Sequence, residues 1–290
     1  MKAEVLYSSQ CILGESPLWH AERKSCFWVD IENGVLYEYK WISQVTRSWK
    51  FNYRLTLVVR GKGNQLILAL NTKIARFDLE SEQLEWMLDV ESQSLKHRCN
   101  DGACDSSGRL WLGTMHLEHK NGGGALYCID TNLDIQKKLG HTSISNGIVW
   151  SLDNKRLYYI DSPTQVVQSF LFEEETGEII FEKSIIEIPV EMGTPDGMAI
   201  DEEGMLWIAH WGGFGIYRWN PGNGQLTGRI ELPVPQVTSC AFAGEDLDYL
   251  LITTARENFK EEELKKYPES GHTFLVKAGV KGVLPNRCLL

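Results

Sequence analysis

HRCNDGACDSSGRLWLGTM, residues 97–115, reads as two turns followed by a strand. Asn100-Asp101-Gly102 and Asp105-Ser106-Ser107-Gly108 carry turn residues, and Leu110-Trp111-Leu112 is an apolar run closed by Gly113-Thr114. Turn, turn and strand is the grammar of a β-rich chain. The first turn carries more than its backbone needs, because Arg98 stands beside an amide and a carboxylate. These groups are read as lining a site, with the rest of the chain repeating the scaffold around it.

The second phrase recurs. Asp105-Ser-Ser-Gly-Arg-Leu-Trp111 matches Asp201-Glu-Glu-Gly-Met-Leu-Trp207, and Asp153-Asn-Lys-Arg-Leu-Tyr158 is a further copy. Weaker copies start at Glu22 and Glu245, and a degenerate one starts at Gly63. Their apolar centres are Phe27, Ile67, Trp111, Tyr158, Trp207 and Leu250. A strand-and-turn period of about 40–50 residues is the mark of a β-propeller. Six copies predict an all-β, six-bladed β-propeller of four strands per blade. A β-sandwich also has regular turns, but it rarely repeats one phrase at this spacing. The repeat fills the chain, so residues 1–290 are expected to be one domain.

At 43% hydrophobic and 23% charged, the chain has the composition of an ordinary soluble globule. A net charge of −10 argues against nucleic acid or an anionic membrane as partner, since both need a basic face. The N-terminus shows no apolar core of a secretory signal, and the seven cysteines contain no CxxC pair. Reduced thiols and a cytoplasmic location are the expectation. Cys11 and Cys240 lie in apolar phrases and read as core residues.

Residues 4–7 alternate and are read as a strand that closes the ring against the last blade. Residues 256–268 differ from the rest. Glu261 and Lys265, and Glu262 and Lys266, stand four apart, and Pro268 ends the segment, which predicts a short surface helix inserted in the last blade. Residues 115–124, rich in glycine, are read as a loop.

The Asn100-Asp101-Gly102 phrase returns as Asn146-Gly147 and as Asp196-Gly197, one blade on each time. Equivalent places in a propeller lie at the same height around the central channel. The polar groups gathered there are Glu15, Arg98, Asn100, Asp101, Asn146 and Asp196, with Glu118 in the glycine-rich loop above. Two carboxylates and an amide oxygen make a hard oxygen site suited to Ca²⁺, Mg²⁺ or Mn²⁺, with Zn²⁺ also accommodated. Taken one at a time, the Asn-Gly and Asp-Gly pairs also read as simple hairpin turns. His116 and His119 invite a zinc reading, but their spacing puts two rings on one face only in a helix, and HExxH is absent. GxSxG and GxxxxGK[ST] are absent as well.

Gly14-Glu15-Ser-Pro-Leu-Trp19, Arg98-Cys-Asn100-Asp101-Gly102, Gly113-Thr-Met115, Ile144-Ser-Asn146-Gly147, Pro195-Asp196-Gly-Met198 and Gly279-Val-Lys-Gly282 occur in that order. Together they resemble the regucalcin / senescence-marker-protein / gluconolactonase family. The resemblance implies a six-bladed propeller with one divalent metal ion in the central channel, and members that mostly hydrolyse sugar lactones. By motif, Glu15, Asn146 and Asp196 resemble the metal ligands. Arg98 and Asn100 resemble the substrate-binding pair, Glu118 a second substrate contact, and Asp101 a further channel residue. The implied chemistry is metal-dependent lactone hydrolysis, with Asp196 as proton acceptor and Arg98 offsetting negative charge on substrate oxygens.

Two other readings stay open. One is a non-catalytic propeller that binds Ca²⁺ or another ligand; the other is a metal-dependent esterase acting on non-sugar esters. The expected partner is a small lactone, and the expected assembly a monomer or weak homodimer.

Overall fold

The computed structural model describes residues 2–91 and 94–290. Its strands form six four-stranded antiparallel sheets. Strand β1 (Glu4–Tyr7) precedes the first blade, which holds β2 (Gly14–His20), β3 (Ser25–Asp30), β4 (Val35–Lys40) and β5 (Thr46–Lys50). Blade 2 holds β6 (Leu55–Arg60), β7 (Gln65–Leu70), β8 (Lys73–Asp78) and β9 (Leu84–Asp89), and blade 3 holds β10 (His97–Cys104), β11 (Leu110–His116), β12 (Gly124–Ile129) and β13 (Ile135–Thr142). Blade 4 is β14 (Ser145–Trp150), β15 (Arg156–Asp161), β16 (Val166–Glu173) and β17 (Glu178–Glu187). Blade 5 is β18 (Thr194–Ile200), β19 (Leu206–Trp211), β20 (Gly215–Asn220) and β21 (Gln225–Glu231). Blade 6 takes β22 (Val237–Ala243), β23 (Tyr249–Thr254) and β24 (Thr273–Lys277), with β1 as its outer strand.

The pairing Glu4↔Leu275 and Tyr7↔Thr273 closes the ring, as the alternation of residues 4–7 predicts. The six inner strands β2, β6, β10, β14, β18 and β22 touch one another in a closed circle. Apolar clusters fill the space between blades. One gathers Trp111, Trp150 and Phe172, and another Trp207, Phe242 and Phe274.

The repeated phrase has a physical cause. Asp105 accepts the backbone N–H groups of Ser107 and Arg109 at 3.0 Å each through Oδ1. Its Oδ2 accepts Arg109 Nε at 2.6 Å and the Trp111 indole at 2.8 Å. In blade 5, Asp201 does the same for Glu203, Met205, the Trp207 indole and Arg218. One buried carboxylate therefore shapes the turn and fixes the aromatic ring of the strand after it. In blade 4 the aspartate is Asp153, which is exposed, and Tyr158 replaces the indole.

Every inner strand breaks register against its neighbour near its N-terminal end. The breaks fall at Glu15/Leu18, Leu55/Leu57, Cys99/Gly102, Asn146/Ile148, Pro195/Met198 and Val237/Ser239. This corrects the turn reading, because Asn100-Asp101-Gly102, Asn146-Gly147 and Asp196-Gly197 are bulged strand, not turns. A bulge sets extra residues against the partner strand and re-aims side chains. The glycines allow neighbouring inner strands to approach. A Cβ on Gly147 would lie 2.7 Å from the Asp196 carbonyl oxygen, and one on Gly197 would lie 2.1 Å from Ser239 Oγ.

Two local expectations shift. Strand β11 runs on to His116, so the loop is shorter than residues 115–124. The helix is α1 (Glu261–Lys266), between β23 and β24, with Glu263 accepting the Lys260 backbone N–H at 2.9 Å and Lys265 paired to Glu261 at 2.8 Å. Among the described residues, no helix is long and apolar enough to cross a membrane.

The C-terminal segment crosses one end of the ring. Val283 N–H reaches the Ile200 carbonyl, Cys288 N–H the Arg60 carbonyl at 2.8 Å, and Leu289 N–H the Gly108 carbonyl at 2.9 Å. Above this strap the channel holds a cavity of about 320 Å³, whose lining includes Leu57, Asp101, Val149, Ala199 and Pro285.

All seven cysteines are free and buried. A thiol reagent should therefore react slowly with the native protein and count seven thiols after denaturation without reductant; three or fewer would mean disulfides. Asp105 is fully buried, so Asp105→Ala leaves the Trp111 indole and the Arg109 guanidinium without their shared acceptor. The expected loss is about 3–5 kcal/mol, read as a lower midpoint in denaturant unfolding. Asp153→Ala, at the exposed copy, should change it by under about 1 kcal/mol.

Candidate metal centre

The bulges bring together residues from four blades at one level of the channel. Glu15 comes from β2, Arg98, Asn100 and Asp101 from β10, Asn146 from β14 and Asp196 from β18. Glu15, Arg98, Asn100, Asn146 and Asp196 are each buried, and Asp101 is partly open toward the channel cavity.

A hydrogen-bond chain orders the polar groups. Arg98 Nη1 donates to Asn100 Oδ1 at 2.5 Å and to the Cys99 carbonyl at 3.0 Å. Asn100 Nδ2 donates to the Ser145 carbonyl at 2.8 Å and to Asn146 Oδ1 at 3.1 Å. Asn146 Nδ2 donates to Ser162 Oγ at 2.9 Å.

The carboxylates are less well served. Glu15 accepts the Ser16 N–H at 2.9 Å and Asp101 the Gly102 N–H at 2.7 Å. Asp196 Oδ1 is buried with no partner. Burial, then the charge of Asp101, pushes Glu15 up to about 8, against the pull of Ser16 and Arg98. Burial pushes Asp101 up to about 6. Asp196 is raised well above the ordinary range by burial, then by Glu15 and Asp101, with Arg98 opposing. Three acids thus face one buried cation, Arg98. A divalent cation is the species that such a cluster lacks, and the orphaned Asp196 oxygen and the Asn146 amide oxygen are hard donors suited to it. Among the described residues, no three acidic, imidazole or thiol groups stand close enough to hold an ion by themselves.

Glu118 stands apart from this network. It is exposed on the loop after β11 and pairs with Lys120 at 3.2 Å. The two loop histidines do not form a pair of ligands. His116 is buried against His97, ring centroids 5.1 Å apart, and its Nδ1 accepts the Glu118 N–H, whereas His119 is exposed.

Residues that sequence reasoning passed over complete the surroundings. Ser162 follows β15 and carries no motif of its own. Glu32 and Glu257 are the acids whose charges act most on Arg98, ahead of Glu15, although burial is the larger influence and lowers its pKa. Arg54 holds Glu32 at 2.9 and 3.0 Å. These residues come from connections between strands in four blades, where no spacing rule points to them.

Residues 13–256 match the model of the "SMP-30/Gluconolactonase/LRE-like region". The chain is 32% identical to rabbit (Oryctolagus cuniculus) regucalcin over 98% of its length and 97% of that protein's. It is 31% identical to a Bacillus subtilis protein named "Putative sugar lactone lactonase YvrE", over 98% of both chains. Among solved structures, a calcium-binding protein, regucalcin, from Agrobacterium tumefaciens superposes with a TM-score of 0.94 at 26% identity, covering 100% of this chain and 98% of that one. A six-bladed propeller whose inner-strand bulges carry these motifs, matched along most of its length, belongs to the SMP-30/gluconolactonase/LRE-like family.

Proposed function

We propose that this protein is a divalent-metal-dependent hydrolase that opens a sugar lactone, with Glu15, Asn146 and Asp196 holding the ion. The observation that carries this reading is the excess of buried negative charge at the channel axis, with Asp196 Oδ1 left without a partner. A scaffold propeller has no use for acids desolvated at its axis, and their mutual repulsion is costly unless a cation or protons offset it. The family name and the relatives' names support lactone chemistry.

A divalent ion bound here, whether Ca²⁺, Mg²⁺, Mn²⁺ or Zn²⁺, supplies Lewis acidity toward a carbonyl and lowers the pKa of a water. The chain supplies the rest. Asp196 is the carboxylate placed to accept the proton of the attacking water. Arg98 engages the protein through Nη1, and its other N–H groups serve substrate oxygens. Asn100 is held in one orientation by Arg98 and meets a substrate hydroxyl. Glu118 reaches substrate only if its loop leaves the Lys120 contact. The second reading, a non-catalytic Ca²⁺-binding protein, has the printed description of the Agrobacterium neighbour behind it. A panel of gluconolactone, galactonolactone, arabinolactone and a homoserine lactone, assayed after chelation and with each metal restored, separates the two readings. Turnover that needs metal supports the hydrolase, and metal uptake without turnover of any lactone supports the binding protein.

Asp196→Asn keeps the shape but removes the proton acceptor. It should lower kcat by roughly 10²–10⁴ even at saturating metal, whereas Arg98→Ala should mainly raise KM and leave Mn²⁺ titration calorimetry near wild type. Wild-type turnover in Asp196→Asn would sink the mechanism, and loss of Mn²⁺ binding in Arg98→Ala would sink the division of roles.

Glu15, with Asp101 and Asp196 acting in the same direction, makes stability depend on pH. The Glu15 pKa rises from 4.5 to about 8 on folding, so the folded state keeps a proton that the unfolded state releases. That stability is fully present below about pH 4.5 and is lost as pH rises through about 8. Calorimetry of the chelated protein should show its melting temperature falling from about pH 5 to about 8. Glu15→Gln should lessen the trend, with Asp101 and Asp196 keeping the remainder, and saturating metal should flatten it.

A further inference from the structure

We propose that Ser162 is a positioning residue that keeps the Asn146 carboxamide oxygen turned toward the ion, a role resting on the metal site inferred above. The two ends of an amide have nearly the same shape and opposite hydrogen-bonding character, so an asparagine serves a cation in only one of its two orientations. The chain of contacts in the channel decides which. A guanidinium can only donate, so Asn100 must turn its oxygen to Arg98 Nη1 at 2.5 Å. Its Nδ2 then faces Asn146 Oδ1 at 3.1 Å, and Asn146 Nδ2 must in turn find an acceptor on its other side. Ser162 Oγ is that acceptor, at 2.9 Å. Ser162 is 5% exposed and Asn146 6%, so water is a poor substitute for either partner.

The turn that carries Ser162 is braced independently of the site. Ser162 opens a 3₁₀ turn over Ser162–Thr164 directly after β15, with Pro163 inside it. The Ser162 N–H reaches the Ile144 carbonyl at 3.1 Å, and the Gln165 N–H returns to the Ser162 carbonyl at 3.2 Å. Thr164 Oγ1 donates to the Asp161 carbonyl at 2.7 Å, and the Asp161 carboxylate accepts the N–H groups of Ser143 and Ile144. Strand β14 and this turn are thereby locked to each other, and the hydroxyl is presented at a fixed place. Without it, a buried N–H loses its acceptor, and the amide is held from one side alone, by Asn100, so the oxygen's direction is less well fixed. Partners behind a metal ligand typically govern about 10–100-fold in affinity.

The test is titration calorimetry of the full chain with MnCl₂, after chelation, on wild type, Ser162→Ala, Ser162→Thr, Asn146→Ala and the Ser162→Ala/Asn146→Ala pair. Ser162→Ala should weaken Mn²⁺ binding by about 10–100-fold, and Ser162→Thr, which keeps the hydroxyl, should restore most of it. Because Ser162 acts through Asn146, the double variant should bind no more weakly than Asn146→Ala alone. Thermal unfolding in chelator confirms that each variant is folded. Should Ser162→Ala fail to fold, Ser162→Cys, similar in shape with a much weaker acceptor, carries the same expectation. Wild-type affinity in Ser162→Ala, or a further loss in the double variant, overturns the role of Ser162 and leaves the metal site standing. An absence of Mn²⁺ binding in the wild type overturns both.

Discussion

Three carboxylates, two buried and one partly open, around one channel with a single buried arginine set the terms for the rest of this structure. Burial raises the proton affinity of all three, Asp101 adds to the effect at Glu15, and Glu15 and Asp101 add to it at Asp196, with Arg98 opposing at Glu15 and Asp196. A fold that holds such a cluster must be rigid enough to prevent the acids from swinging out to water. The closed ring of inner strands supplies that rigidity, and the pairing of β1 with β24 ties its two ends. The electrostatic strain at the axis and the ring closure are therefore two sides of one design. The strain is tolerable because a cation, or protons in its absence, can relieve it.

The ring is built by a device unrelated to the site. In blades 3 and 5 an aspartate turns the chain and then holds the indole of the following strand, so each blade assembles its own corner. Those corners involve Asp105, Trp111, Asp201 and Trp207, which the site does not use. The site draws instead on the bulge at the opposite end of each inner strand's first few residues. Blades 3, 4 and 5 place asparagine or aspartate there, blade 1 glutamate, and blades 2 and 6 Leu55–Leu57 and Val237–Ser239. Six equivalent positions thus yield an asymmetric, one-sided set of oxygen donors.

The period of the turn-and-strand phrase was enough to read the six blades, because each copy uses the same local interactions and local interactions are written in adjacent residues. Residues 4–7 showed the alternation of a strand, and the closing partner followed from the need to leave no open edge. The helix was legible from the Glu261–Lys265 spacing, although only Glu261–Lys266 is helical. The Asn-Asp-Gly, Asn-Gly and Asp-Gly pairs misled as to conformation, yet they mark the bulges of three successive inner strands. Their glycines serve close approach between inner strands, as at Gly147 and Gly197, where a hairpin would have used them for a turn.

Sequence alone determined the all-β repeat and its blade number, and the recurring phrase put Asn100, Asp101, Asn146 and Asp196 in equivalent places, while Glu15 and Arg98 stand in motifs that occur once. Only the tertiary structure decided what those groups face. Asp196 keeps an unpartnered oxygen, Asn146 is held by Ser162 from the next hairpin, and Glu118 turns to Lys120 and away from Arg98. The C-terminal strap that spans one end of the channel has no period and no motif, and its contacts at Arg60 and Gly108 lie more than a hundred residues away in the chain. The physical reason is common to all of these. A repeat is specified by near neighbours, whereas desolvation, amide orientation and closure of the channel depend on groups brought together only when the ring is complete.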